Sequence, residues 1–316
     1  MNEGNQSQKC LRYVLAVLVL LLLTGECLLP HQTLEAHTIL IAKTIERPAE
    51  LCRGPEAKGE VGHFLLMNAE IKAVISAADY AYAFSSSGGN ILDLARTADN
   101  YDGFTHFYTL LNTYWPNQAH YTNVEVLQDG SDGKLAVVRA TGYDLGAPNI
   151  LVVTDYQLGP HDRFVTIVTT LTNRSDQAVR DYAVGDAVQW GVTDNFAPGV
   201  GYELLNVNRS FPWVAAQGDQ ISYGYATDAE SFDSMNHSTW TDSYVRHITL
   251  PGNSCRRSSS SHPPRDPTRI WEAPTKRRAR SIMSLQLLAR ANFRFRPAAT
   301  ASLPRTVWRI RWPGEM

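Results

Sequence analysis

Gly62-His63-Phe64-Leu65-Leu66-Met67-Asn68-Ala69-Glu70-Ile71-Lys72-Ala73-Val74-Ile75, joined further on by Gly88-Gly89-Asn90-Ile91-Leu92-Asp93, decides the fold class of this 316-residue chain. Two apolar runs, Phe64–Met67 and Ile71–Ile75, flank Asn68-Ala69-Glu70, which is hairpin punctuation. Ala83 to Asn90 holds three serines and two glycines, a turn in which glycine can take positive φ.

Strand signals continue from there. Tyr121–Leu127 alternates and is turned by Asp129-Gly130-Ser131-Asp132-Gly133, and Leu135–Ala140 returns. Ile150–Leu158 is rich in Val, Thr and Tyr, and Gly159-Pro160-His161-Asp162 turns it. Phe164–Leu171 sets Val165, Ile167 and Thr169 against Thr166, Val168 and Thr170, the period of a strand. Tyr182–Trp190 reads as a further strand. One short helix is expected between Gly103 and Leu111. Turns about every 8–12 residues imply a mainly β fold, a large antiparallel β-sandwich, rather than βαβ units.

Hydrophobic residues at 44% and charged residues at 19% suit a globular body. The net charge of −2 conceals two unlike parts. From Asn253 onward there are 13 Arg and one Lys against Asp266, Glu272 and Glu315, a net of +11, which leaves the rest at −13. An acidic body disfavours nucleic acid, whose phosphates need clustered cations. The N-terminus resembles an export signal: Lys9 and Arg12, then ten apolar residues from Val14 to Leu23, then Thr24-Gly25-Glu26. That run falls short of the roughly 20 residues a bilayer needs, and an uncleaved anchor through Leu29 would bury Glu26. Export places the protein in the periplasm, at the cell surface or outside the cell, with membrane contact only through this signal or anchor.

The expected division is a leader over 1–36, a β-sandwich domain over 37–252 and a basic Arg/Ser/Pro-rich tail over 253–316. The β pattern stops at Leu250. Of a disordered extension, a membrane- or polymer-binding arm and translation in a shifted reading frame, the abrupt end of strand periodicity favours disorder or the shifted frame over a functional arm. Cys52 and Cys255 could pair in an oxidising compartment or stay as thiols.

The chain has no Gly-x-Ser-x-Gly elbow, His-Glu-x-x-His helix, phosphate loop or Cys-x-x-Cys pair, so no cofactor and no metal site is expected. Asp99/Asp102 and Asp129/Asp132 supply too few oxygens for calcium. Aromatic density is the stronger signal. Tyr80, Tyr82, Phe84, Tyr101, Phe104, Phe107, Tyr108, Tyr114, Trp115 and Tyr121 stand among Asn112, Asn117, His106 and His120. Sugar rings stack on aromatic faces and bond to amides and carboxylates, although such rings fill β cores as readily. Trp115, beside Pro116 and Asn117, is the ring most expected at the surface. A third cluster, Asp186–Gly191 followed by Asp194–Gly201, puts Asp186, Gln189 and Trp190 at a strand end before a Gly/Pro loop. Expected ligand contacts are Tyr82, Tyr114, Trp115, Asn117, Asp186 and Trp190.

The phrases Leu65-Leu66-Met67-Asn68…Ile71-Lys72-Ala73-Val74-Ile75 and Gly88-Gly89-Asn90-Ile91-Leu92-Asp93 resemble the opening of exported bacterial β-rich envelope proteins with a galactose-mutarotase-like supersandwich. The resemblance spans about residues 60 to 250. It implies a large antiparallel sandwich associated with carbohydrate binding or polysaccharide-active enzymes. The His pair and Glu of mutarotase catalysis cannot be placed on this chain. The leading expectation is therefore a non-catalytic, exported carbohydrate-binding module, a truncated or frame-shifted piece of a longer envelope protein. The alternatives are a sugar epimerase, polysaccharide lyase or hydrolase using His106 or His120 with Asp186, and a structural envelope scaffold.

Overall fold

The computed structural model describes residues 39–112, 117–191, 193–199, 201–202, 211–227, 231–237, 241–250 and 252, and the backbone of 279–288. The described residues are mainly β, with no α-helix and one short 3-10 turn at Pro48–Glu50. All strand ladders are antiparallel and form three sheets. The first runs in the order β1 (Leu40–Thr44), β2 (Phe64–Asn68), β3 (Ile71–Ile75), β4 (Ile91–Arg96). The second is β14 (Ser234–Asn236), β15 (Asp242–Leu250), β10 (Val179–Gln189), β5 (His106–Leu111). The third has eight strands: β11 (Asp194–Phe196), β12 (Trp213–Gln217), β13 (Ser222–Thr227), β16 (Ala279–Leu288), β9 (Phe164–Asn173), β8 (Ala147–Leu158), β7 (Ala136–Asp144) and β6 (Ala119–Asp129).

The β2–β3 hairpin turns on Asn68, which is fully buried. Its Oδ1 accepts from the backbone N–H of Glu70 (2.8 Å) and Ile71 (2.9 Å), closing an Asx-type turn. Its Nδ2 donates to the carbonyls of Gly159 and Asp162, both at 2.8 Å. One amide thus shapes the first sheet's turn and pins the β8–β9 turn of the third sheet. The Gly88-Gly89 pair is equally constrained. A Cβ on Gly88 would stand 1.6 Å from the Ala77 carbonyl oxygen. Gly89 has φ +77°, and its carbonyl accepts from the Tyr156 hydroxyl at 2.7 Å.

Each sheet turns one face to a shared apolar core. Leu66, Ala73 and Leu94 come from the first sheet, Phe107, Val184 and Tyr244 from the second, and Val138, Val152 and Ile167 from the third. β9 shows why alternation is informative: Val165, Ile167, Thr169, Leu171 and Asn173 are buried, and the residues between them are half-buried. The core is also rich in tyrosine hydroxyls, which need partners once removed from water. Buried acids provide them. Tyr182 of β10 donates to Asp144 of β7, Tyr225 of β13 donates to Asp186 of β10, and Tyr223 of β13 donates to Asp102. The first two of these bonds tie the second sheet to the third.

Two expectations are corrected. The segment read as a helix between Gly103 and Leu111 holds β5 instead. All six β5 residues are buried, so both faces are covered and the strand shows no polar alternation. The tail expected to lack strands contains β16, which pairs with β13 on one side and β9 on the other. Met283, Leu285 and Leu287 alternate there with Ser284 and Gln286, a two-residue period embedded in basic, proline-rich sequence. The rest of 253–316 and the leader over 1–36 lie outside the described residues, as does Cys255. Cys52 is buried against Ile45, Leu65, Val74 and Ala95.

Candidate functional site

The strand ends that carry Trp190, Asn195 and Asp242 border a cavity of about 790 Å³. Asp242 organises its floor. The residue is 1% exposed, and three donors converge on Oδ2: Trp190 Nε1 at 3.0 Å, Asn195 Nδ2 at 2.8 Å and the Tyr244 hydroxyl at 2.9 Å. Its Oδ1 lies 2.7 Å from His237 Nδ1, an ion-pair contact rather than an aligned N–H···O bond. Contact with Asp242 raises the His237 pKa above its ordinary value, against a smaller opposing effect of burial. The floor is therefore a carboxylate clasped from β10, β11 and β15, with an imidazole biased toward its protonated form beside it.

The walls carry further polar groups. Gln189 Nε2 donates to Thr241 Oγ1 at 3.1 Å, and its Oε1 is buried with no hydrogen-bond partner. Glu56 accepts from the Thr105 hydroxyl at 3.2 Å. Asp194 and Thr193 complete that side. Two rings also line the cavity, Phe84 at 41% exposed and Tyr202 at 48%. They are the only aromatic residues among the strongly exposed large hydrophobics of the described residues. Amides, carboxylates, hydroxyls and an imidazole thus line one space together with two partly exposed rings, of which Tyr202 also packs against Phe196.

The residues singled out from sequence fall in several places. Trp190 lines the cavity, although its indole is mostly buried against Phe104 and Tyr244. Tyr82 is half-buried next to the cavity-lining Ala83 and Phe84, with its ring 5.4 Å from His106. Asn117 is placed elsewhere, near the β7–β8 turn at Gly146. Tyr114 and Trp115 lie outside the described residues. Asp186 is in the core, and burial pushes its pKa up to about 7.

His106 and Asp186 occupy opposite faces of the second sheet. Asp186 pairs in register with Thr109 on the core side, and His106 shares the other side with Tyr108. Neither His106 ring nitrogen has a partner, and burial lowers the pKa to about 3, so the ring is neutral. His120 is half-buried, with Nδ1 3.3 Å from Ser86 Oγ and its ring against Tyr143. Its neighbour Tyr121 points the other way, with its hydroxyl on Thr109 and Thr154. The structure therefore joins neither histidine to Asp186.

Sequence reasoning passed over the pair that does form. His237 directly follows β14 and Asp242 opens β15, and the antiparallel pairing of these two strands brings them together. The only signal was the acid after Ser238-Thr239-Trp240-Thr241. Among the described residues no group of three His, Cys, Asp or Glu side chains is placed to hold a metal ion. Asp129 and Asp132 instead accept from the backbone of Ser131 and Lys134 in their own turn.

No protein-family model and no curated protein matches this chain. Several solved structures do resemble it. A TPR-domain-containing protein of Parabacteroides distasonis has a TM-score of 0.48 at 10% identity, over 82% of this chain and 56% of that one. A Synechocystis protein has a TM-score of 0.42 at 9% identity, over 71% and 95%. A protein of Escherichia coli K12 named as a candidate aldose 1-epimerase has a TM-score of 0.40 at 9% identity, over 78% and 99%. The chain thus spans just over half the length of the Parabacteroides protein. Likeness at this distance says nothing about activity.

Proposed function

We propose that this chain is an exported carbohydrate-binding module of the cell envelope, built on a galactose-mutarotase-like supersandwich and non-catalytic. One observation carries the reading. The two exposed aromatic rings, Phe84 and Tyr202, both border the cavity that Gln189, Asn195, His237 and Glu56 also line. A sugar presents C–H faces to rings and hydroxyls to amides and carboxylates, and this cavity offers both kinds of surface. Three antiparallel sheets around a shared core support the supersandwich reading. The export reading rests on the Lys9–Glu26 pattern. Affinity electrophoresis of the full chain through polysaccharide gels tests the proposal. Retardation by at least one glycan, weakened by Tyr202→Ala and Asn195→Ala, is expected. Free migration of the folded chain in every gel rejects it and leaves the scaffold reading.

A second reading, acid–base chemistry on a sugar, is favoured by the His237–Asp242 contact on the cavity floor. It requires catalysed anomer exchange or bond cleavage that disappears in His237→Gln. Absence of turnover on sugars that bind would leave the module reading in place.

A further inference from the structure

The balance of charge around the cavity says which glycans it takes, an inference that rests on the sugar-binding reading above. Among the described residues the ionisable side chains lining it are Glu56, Asp194, Asp242 and His237, and no described Lys or Arg lines it. Asp242 is already committed: three donors hold Oδ2, and His237 stands against Oδ1. His237 and the three donors face Asp242, so among the described lining residues Glu56 and Asp194 are the carboxylates left to face the ligand space.

We infer that the cavity selects glycans that bring hydrogen-bond donors and no negative charge, and that it rejects sugars bearing carboxylate or sulfate groups. Two physical effects work in the same direction. Sugar hydroxyls can donate to the Glu56 and Asp194 carboxylates, and such charge-assisted bonds are the stronger kind. An incoming uronate would meet like charge from Glu56 and Asp194, with no described Lys or Arg of the lining to receive it. Exclusion of the acidic competitor is thus built from repulsion as much as attraction is built from contacts. The acidic balance of the chain before Asn253 adds a weaker, longer-range repulsion of polyanions.

The test uses glycans that differ chiefly in oxidation at C6: β-1,4-mannan against β-1,4-polymannuronate, and methyl α-galactoside against methyl α-galacturonide. Binding of the full chain is measured by affinity electrophoresis and calorimetry at low salt. Within any pair that binds, the acidic member is expected to bind at least about tenfold more weakly, the ratio that like-charge contact at short range readily supplies. The double variant Glu56→Gln/Asp194→Asn is expected to shrink that ratio toward one, whatever it does to affinity for the neutral member. Equal or tighter binding of the acidic member overturns the inference and leaves glycan binding standing. A ratio unchanged in the double variant overturns it as well, because the discrimination then comes from shape. If no member of either pair binds and no other polysaccharide does, the sugar-binding reading falls and this inference with it.

Discussion

Replacing Asp186 by Asn tests whether this acid is a neutral part of the core or a working carboxylate. Asp186 is 1% exposed, and its carboxyl is bonded by the Tyr225 hydroxyl from the facing sheet. Burial raises its pKa from 3.8 to about 7. At 1.36 kcal/mol per pH unit, that difference is worth about 4 kcal/mol. The sign follows from which state ionises first. Below about pH 4 the acid is protonated in folded and unfolded chains alike, and its full contribution is present. As pH rises toward 7 the unfolded chain releases the proton while the folded chain keeps it, so stability is lost across that window. Asn keeps an acceptor for Tyr225 and cannot ionise. Urea unfolding of the native chain and Asp186→Asn, followed by tryptophan fluorescence from about pH 4 to 8, gives two stability curves. The gap between them is expected to shift in favour of the variant by about 4 kcal/mol over that range. Subtraction cancels Asp93 and Asp102, which burial raises to about 6 and about 8 and which slope the same way. Parallel curves would refute the reasoning, since they would mean that Asp186 ionises normally in the folded chain.

His106→Phe works on the acid side. Burial depresses the His106 pKa to about 3, so its contribution is present above 6.5 and lost as pH falls toward 3. Relative to the gap between the two near pH 8, the variant is expected to gain about 3 kcal/mol on the native chain near pH 4.5 in urea unfolding, and equal acid sensitivity would contradict the buried, neutral ring. Asn68→Leu removes four hydrogen bonds and strands the buried Gly159 carbonyl and the part-buried Asp162 carbonyl. A loss of about 3 kcal/mol or more in thermal unfolding is expected, and a loss under about 1 kcal/mol would contradict the pinning role. Gly88→Ala should prevent folding, because its Cβ would meet the Ala77 carbonyl, whereas Gly133→Ala, with open space but φ +69°, should cost only about 1 kcal/mol. Circular dichroism of the two variants checks this, and equal effects would refute the steric account.

The β character of the chain was legible because half-buried strands print their period on the sequence, as β9 does from Val165 to Asn173. The hairpin at Asn68 was legible from its turn chemistry. β5 was not, because a strand covered on both faces carries no alternation, and its aromatic residues suit a short helix equally well. β16 was hidden by the basic composition around it. The pairing of β5 with β10 and of β9 with β16 joins segments about 70 or more residues apart, which no local pattern encodes. The site was half legible. Gln189, Trp190 and Asn195 stood out as a strand end running into a Gly/Pro loop. Half of the described rings of the aromatic cluster belong to the core instead: Phe104, Phe107, Tyr108 and Tyr121 are buried. Tyr202 and the His237–Asp242 pair were missed, because their proximity to Trp190 arises only from strand order.

Amide hydrogen exchange of the full chain, with and without a glycan that retards it in gels, bears most directly on where sugar is held. Slower exchange confined to Gln189–Asn195 and the start of β15 at Asp242 is the expected outcome. Protection at the β7–β8 turn near Asn117, with the cavity segments unchanged, would contradict it.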